Sequence, residues 1–139
     1  MAVRFLWWTA VLLLALIVSV CHGQQRYLNF LNRHVDFPRT PSVNYNQYCN
    51  VMMMRRGMGT PGACKIFNTF VHAPDTSLNT LCINQPNEAL PITRQQFPVT
   101  TCRVIRHFPT CMYRGRPFNH RVQVGCWGRL PGHLENTFP

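Results

Sequence analysis

Acidic residues are scarce in this chain. Asp36, Asp75, Glu88 and Glu135 are the only four among 139 residues, against fourteen lysines and arginines. A charge-balanced surface is therefore excluded, and the net charge of +10 favours a polyanionic partner: nucleic acid, a heparan-type glycan or an anionic membrane such as a bacterial surface. Lysine is scarcer still, since Lys65 is the only one. Where arginine is used so freely, a lone lysine points to a position that needs a compact ammonium rather than a planar guanidinium. No two cysteines lie two to four residues apart, which removes the usual spacing of a structural zinc site. The sequence also has no internal repeat, no low-complexity tract, no N-glycosylation sequon and, beyond its beginning, no long apolar run.

What is present begins with that one run. Met1 to Arg4 is short and basic, residues 5–20 are almost unbroken apolar, and Cys21 and Gly23 place small residues at −3 and −1 before Gln24. This is the grammar of a secretory signal peptide, so residues 1–23 are read as a leader. Residues 24–139 are read as one domain, with thirteen basic residues facing four acids for a net +9. Six cysteines remain in it, Cys49, Cys64, Cys82, Cys102, Cys111 and Cys126. An even number in an oxidising compartment reads as three disulfides, and the spacing leaves all 15 pairings open.

Periodicity places the elements. Tyr27, Phe30, Leu31 and His34 fall at i, i+3, i+4 and i+7, so residues 25–35 read as a helix whose apolar stripe ends in a histidine. Pro38 and Pro41 stop it. A second helix runs from a cap at Asn46 through Met54, with Tyr48, Cys49, Met52 and Met53 inward, the methionine triplet in the core and Gly57 closing it. Residues 64–72 read as a strand. Asp75 or Thr76 caps a short third helix carrying Leu78, Leu81 and Cys82. From Phe97 onward strands dominate: residues 99–105, 112–113 and 122–124, with 115–119 a connection between the last two. Helices first and strands later predict an α+β domain with an antiparallel sheet.

The most informative stretch is Cys64-Lys65-Ile66-Phe67-Asn68-Thr69-Phe70-Val71-His72. It resembles the CK-x-x-NTF signature of the pancreatic-type ribonuclease superfamily. Phe30-Leu31-Asn32-Arg33-His34-Val35-Asp36 is similar to that family's first-helix histidine segment, and Leu130-Pro131-Gly132-His133-Leu134-Glu135 to its C-terminal one. All six cysteines of residues 24–139 fall in family order. Six cysteines rather than eight, Met54-Arg55-Arg56-Gly57 and Phe97-Pro98-Val99-Thr100-Thr101-Cys102 resemble the angiogenin-like branch, fish ribonucleases included. The resemblance implies three short helices on a bent, V-shaped antiparallel sheet, with disulfides Cys49–Cys102, Cys64–Cys111 and Cys82–Cys126.

It also implies a chemistry that suits these residue types. RNA carries its own nucleophile, the 2′-hydroxyl beside the scissile phosphate. One group must remove the 2′ proton and another must protonate the departing 5′ oxygen, and histidine can do either near neutral pH. A cation must meet the charge that develops on the phosphoryl oxygens. By resemblance His34 is the general base, His133 the general acid and Lys65 the cation, with neither cofactor nor metal required. Glu135 orients His133, Thr69 reads a pyrimidine, Asn68 supports the base and Lys65, and Arg33 and Leu134 complete the substrate site. His72 ends the strand and reads as structural, while His107 and His120 add charge at low pH.

Several positions depart from the family pattern. Arg33 stands where glutamine is usual, Trp127 where an acidic residue commonly holds the second base, and Gly132 where a branched residue precedes the acid histidine. Six residues follow His133, too few for a long blocking tail, though Asn136 can partly obstruct the pyrimidine site. Arg55-Arg56 is similar to the basic stretch that angiogenins use for nuclear entry, with two arginines rather than three. The loop at residues 73–76 lacks the basic residues of the angiogenin cell-binding loop. The reading is a secreted, monomeric, pyrimidine-preferring endoribonuclease acting on RNA, with the cytosolic ribonuclease inhibitor among the partners that the resemblance implies. Two other roles remain open. One is a cationic antibacterial protein working through Arg103, Arg106, Arg114, Arg116, Arg121 and Arg129; the other is an angiogenic signalling ligand.

Overall fold

The computed structural model describes residues 2–139. Nine elements follow one another: α1 (Ala2–His34), α2 (Tyr45–Arg55), β1 (Gly59–Thr60), β2 (Ala63–Cys64), β3 (Phe67–Val71), α3 (Asp75–Asn79), β4 (Phe97–Arg106), β5 (Met112–Trp127) and β6 (Leu130–Phe138). Two helices precede the main sheet, α3 falls between its first two strands, and the class is α+β.

The first helix is longer than the periodicity of residues 25–35 predicts. It runs 33 residues, because nothing between the apolar run and the amphipathic stretch is a strong breaker. Gly23 alone weakens it, by about 1 kcal/mol. Its apolar N-terminal part leaves Leu12, Leu14 and Ile17 exposed, whereas Phe30 is buried against the sheet. The element is a helix long and apolar enough to cross a membrane.

Two further elements shift from the sequence reading. The cap of α2 is Asn44, not Asn46: its side chain accepts a hydrogen bond from Gln47 N, the interaction that satisfies an orphan donor of the first turn. Asn46 instead accepts from Gly115 N at 2.9 Å, which ties α2 to β5. Met52 and Met53 are buried but Met54 is 62% exposed, since three consecutive positions cannot share one helix face. The third helix ends at Asn79 and carries Leu78 only; Leu81 and Cys82 lie in the turn beyond it.

Residues 115–119 are strand rather than connection. They sit inside the 16-residue β5, where Gly115 to Asn119 pair in antiparallel register with Cys102 to Pro98 of β4. The first half of β5 pairs with β4 and its second half, from Arg121 to Trp127, with β6. This exchange of partner along one strand, with register shifts at residues 104–106 and 123–126, gives the bent sheet of order β3-β4-β5-β6. Gly128 and Arg129, both at positive φ, turn β5 into β6, the backbone that a tight two-residue hairpin needs.

Each arm covers its own core. Phe30, Val71, Leu78, Val99, Val122 and Val124 form one cluster; Tyr48, Met52, Met53, Phe70 and Tyr113 form the other. The disulfides are Cys49–Cys102, Cys64–Cys111 and Cys82–Cys126. They close loops of 44 to 53 residues, and each such closure contributes up to about 4 kcal/mol in the loop-entropy description.

Candidate active site

A cleft of about 360 Å³ lies between the end of α1, β3 and β6, and His34, Lys65, Asn68, Thr69, His133 and Glu135 all line it, together with Arg33 and Leu134. Three segments separated by thirty to seventy residues thus converge on one surface.

His34 occupies the last position of α1. Its Nδ1 donates to Thr69 O at 2.9 Å; the acceptor is a carbonyl, so the proton must sit on Nδ1 and Nε2 is left with its lone pair. Burial lowers the pKa of this imidazole to about 4, the Thr69 bond opposes that change, and the charges of Lys65, Arg33 and His133 add to it. At neutral pH His34 is a free base.

His133 stands in β6 and is largely exposed. Its Nε2 donates to Glu135 Oε2 at 2.6 Å. Strand alternation puts residues 133 and 135 on the same side, which is why a carboxylate two positions on can hold the ring. The ring's other nitrogen, Nδ1, is not engaged by Glu135. Gly125 faces the ring across the β5–β6 ladder, and a Cβ there would come within 3.1 Å of His133 Cδ2.

Lys65 precedes β3, and its Nζ donates to Asn68 Oδ1 at 2.9 Å. Burial and the nearby Arg33 charge push its pKa down. Asn68 is almost completely buried and uses both ends of its amide, since its Nδ2 donates to Arg33 O at 2.8 Å. One side chain therefore fixes the ammonium and joins α1 to β3. Thr69 follows it, paired with Thr101 of β4. Asn136 also lines the cleft, with its side-chain oxygen accepting from Thr137 N.

Arg55 and Arg56 part company. Arg55 is exposed, but Arg56 reaches back to the end of α1. Its Nη1 lies 3.2, 2.6 and 3.0 Å from the carbonyl oxygens of Leu31, Asn32 and Val35, and Nη2 is 3.6 Å from Asp36 Oδ1. Asn32 Nδ2 returns a bond to Arg56 O. A cation on the last carbonyls of a helix is favoured by the helix dipole, and here it holds the turn that carries His34. Arg56 is consequently a structural anchor rather than half of a free basic motif.

Sequence reasoning missed the support beneath this turn. Asp36 is buried and accepts from Tyr48 OH, Thr40 N and Thr40 Oγ1 at 2.6 to 2.9 Å. Burial alone would raise its pKa, and these bonds outweigh that and hold it low. His72 is buried beside it, with Nδ1 donating to Asp36 O at 2.9 Å and Nε2 accepting from Thr100 Oγ1 at 2.8 Å. The rarity of acids was the available signal, because one of only four follows the His34 segment directly.

Two departures from the family pattern fit each other. The Arg26 guanidinium stacks 4.1 Å from the Trp127 ring centre, so one face of that indole is occupied. A Cβ at residue 132 would sit 3.3 Å from Arg26 Cβ, and Gly132 leaves room for the stack.

The pancreatic ribonuclease family profile matches residues 25–135. The chain is 62% identical to an angiogenin of Gallus gallus, over the full length of both chains. It is also 41% identical to a ribonuclease of Chelonia mydas, over 82% of this chain and 99% of the other. Among solved structures it resembles green turtle egg white ribonuclease, with a TM-score of 0.73 and 41% identity over 81% of this chain and 98% of that one. The chain belongs to the pancreatic ribonuclease family, in its angiogenin-like branch.

Proposed function

We propose that this protein is a secreted endoribonuclease that cleaves RNA on the 3′ side of pyrimidines through a 2′,3′-cyclic phosphate. The observation that carries the reading is the convergence of two imidazoles and one ammonium on a single cleft. His34 presents an unprotonated Nε2, and His133, held through Nε2 by Glu135, presents Nδ1. His34 Nε2 takes the proton of the 2′-hydroxyl as that oxygen bonds to phosphorus. The P–O5′ bond breaks, and His133 Nδ1 supplies the proton to the leaving oxygen. Lys65, fixed by Asn68, meets the charge that builds on the phosphoryl oxygens. The two proton transfers contribute about 10²–10⁴-fold each, and a preorganised cation is of similar weight. The nucleophile comes from the substrate, so no step calls for a metal. Thr69 reads the pyrimidine at the base of the cleft, beside Leu134 and Asn136.

The apolar, exposed start of α1 supports a leader removed after Gly23, and the three disulfides support an oxidising destination. The match to an angiogenin along the full chain supports an angiogenin-like role. Of the two basic residues considered for nuclear entry, only Arg55 is free to present its charge. A second reading, action on anionic bacterial surfaces, draws on Arg103, Arg106, Arg114, Arg116, Arg121 and Arg129, which are all exposed.

One variant tests both. His133→Ala should lower RNA cleavage by at least about a hundredfold, and wild-type cleavage should persist in excess EDTA. Near-normal activity of His133→Ala would overturn the mechanism. Bacterial killing that survives His133→Ala and falls with salt would place surface charge ahead of catalysis.

A further inference from the structure

The sheet carries a second feature on the face that bears Thr69, one that the proton chemistry does not use. Cross-strand partners share a face. The row containing Thr69 continues through Thr101 of β4 to Arg116 of β5, and the neighbouring row runs from Phe67 through Arg103 to Arg114. In that row Phe67 is 42% exposed, and the Arg103 guanidinium carbon stands 4.8 Å from the centre of its ring. Arg103, Arg114 and Arg116 are exposed. The row therefore meets the cleft at Phe67, one of its lining residues, and carries a guanidinium stacked on that ring and two more cations beyond it. The row extends away over β4 and β5, whereas His133, Leu134 and Glu135 line the cleft from β6.

Polarity of the substrate follows from the chemistry. The leaving 5′ oxygen belongs to the downstream nucleotide and faces His133, so the strand downstream departs on the β6 side. The nucleotide upstream of the pyrimidine leaves on the opposite side, over β4 and β5. We infer that the Phe67–Arg103 pair is a stacking platform for the base immediately 5′ to the cleaved pyrimidine, with purines favoured, and that Arg114 and Arg116 neutralise the phosphates beside it. Unpaired bases of single-stranded RNA stack on aromatic rings and on guanidinium planes alike, and a pre-stacked ring and guanidinium present such a surface without further ordering. The inference rests on the ribonuclease reading above and adds a selectivity to it.

The test compares UpA with the trinucleotides ApUpA and UpUpA, at low salt and at high salt. Wild type should cleave ApUpA with a kcat/KM roughly tenfold above UpA, the size of one stacked base, and UpUpA should gain less. Arg103→Lys keeps the charge but removes the planar surface; it should bring ApUpA down to the level of UpUpA and leave UpA unchanged. Arg114→Ser should weaken both trinucleotides alike, and only at low salt. Equal rates on UpA and ApUpA in wild type would overturn the inference, as would a full ApUpA advantage in Arg103→Lys. Failure of wild type to cleave UpA at all would instead refute the ribonuclease reading, so the two failures are distinct.

Discussion

Replacing Arg56 by methionine removes the guanidinium while keeping an unbranched stem in the same space. Two carbonyls of the last turn of α1 and that of Val35 just beyond it lose their shared donor, and Asp36 loses its cation at 3.6 Å. Hydrogen bonds to a charged donor contribute about 1.5–3 kcal/mol each. One nitrogen serves three acceptors here, and the side chain keeps 23% of its exposure, so the bonds do not sum and water can replace part of them. A net loss of about 2–4 kcal/mol is the resulting expectation. In a domain of this size 1 kcal/mol corresponds to roughly 4 °C, so the melting temperature of the secreted protein should fall by about 8–16 °C in a calorimetric or circular-dichroism melt. Because the weakened turn ends in His34, kcat/KM on RNA should fall as well, at temperatures where the variant is folded. Arg55→Met, one residue away but exposed, should shift the melt by less than about 2 °C. Indistinguishable melts for the two variants would refute the claim that Arg56 anchors the helix end.

The depressed pKa of His34 sets a pH prediction. Its neutral form persists down to about pH 4, so the general base should survive acidification well below the ordinary histidine value of about 6.5. A base-dependent limb of kcat/KM that bends near 6.5 would refute it. The linkage has a definite sign: between about 6.5 and 4 the unfolded chain binds a proton at this site that the folded chain does not, so folding stability falls as pH is lowered through that window. A His34→Asn variant should show a flatter pH dependence of its melt over the same range. Gly115→Ala should destabilise by about 3 kcal/mol or more, because the new Cβ would lie 2.1 Å from the backbone oxygen of Tyr45; an unchanged melt would mean that α2 and β5 are not in contact there. Gly125→Ala meets the His133 side chain, nearest at Cδ2 at 3.1 Å, and should lower kcat on RNA several-fold with a melt shift of only a few degrees. Full activity would show that the ring has room to move.

Composition and family resemblance were enough to single out the candidate residues. The lone lysine, the two histidine segments and the Asn-Thr pair stand in short local segments similar to those of the family, and a local segment can be read along the chain. The class of fold was legible for a similar reason: helical and strand periodicities are local, and strands dominate from Phe97 onward. Partnership between distant segments was not. Nothing in Arg55-Arg56 distinguishes the exposed guanidinium from the one that holds three carbonyls at the end of α1 and just past it, because that difference depends on where a helix twenty residues earlier comes to rest. Residues 115–119 look like a turn, with Gly, Pro and Asn, until β4 supplies a partner for every one of them. The proton on Nδ1 of His34 is likewise a tertiary property, since it needs the carbonyl of Thr69 thirty-five residues away. So do the low pKa, which needs burial in the cleft, and the direction of His133, which needs β6 to lie opposite β3. The sequence determined which titratable groups are available; the protonation of His34 and the convergence of the three segments on one cleft were decided by packing, because desolvation and hydrogen bonding act through space and leave no trace in local order along the chain.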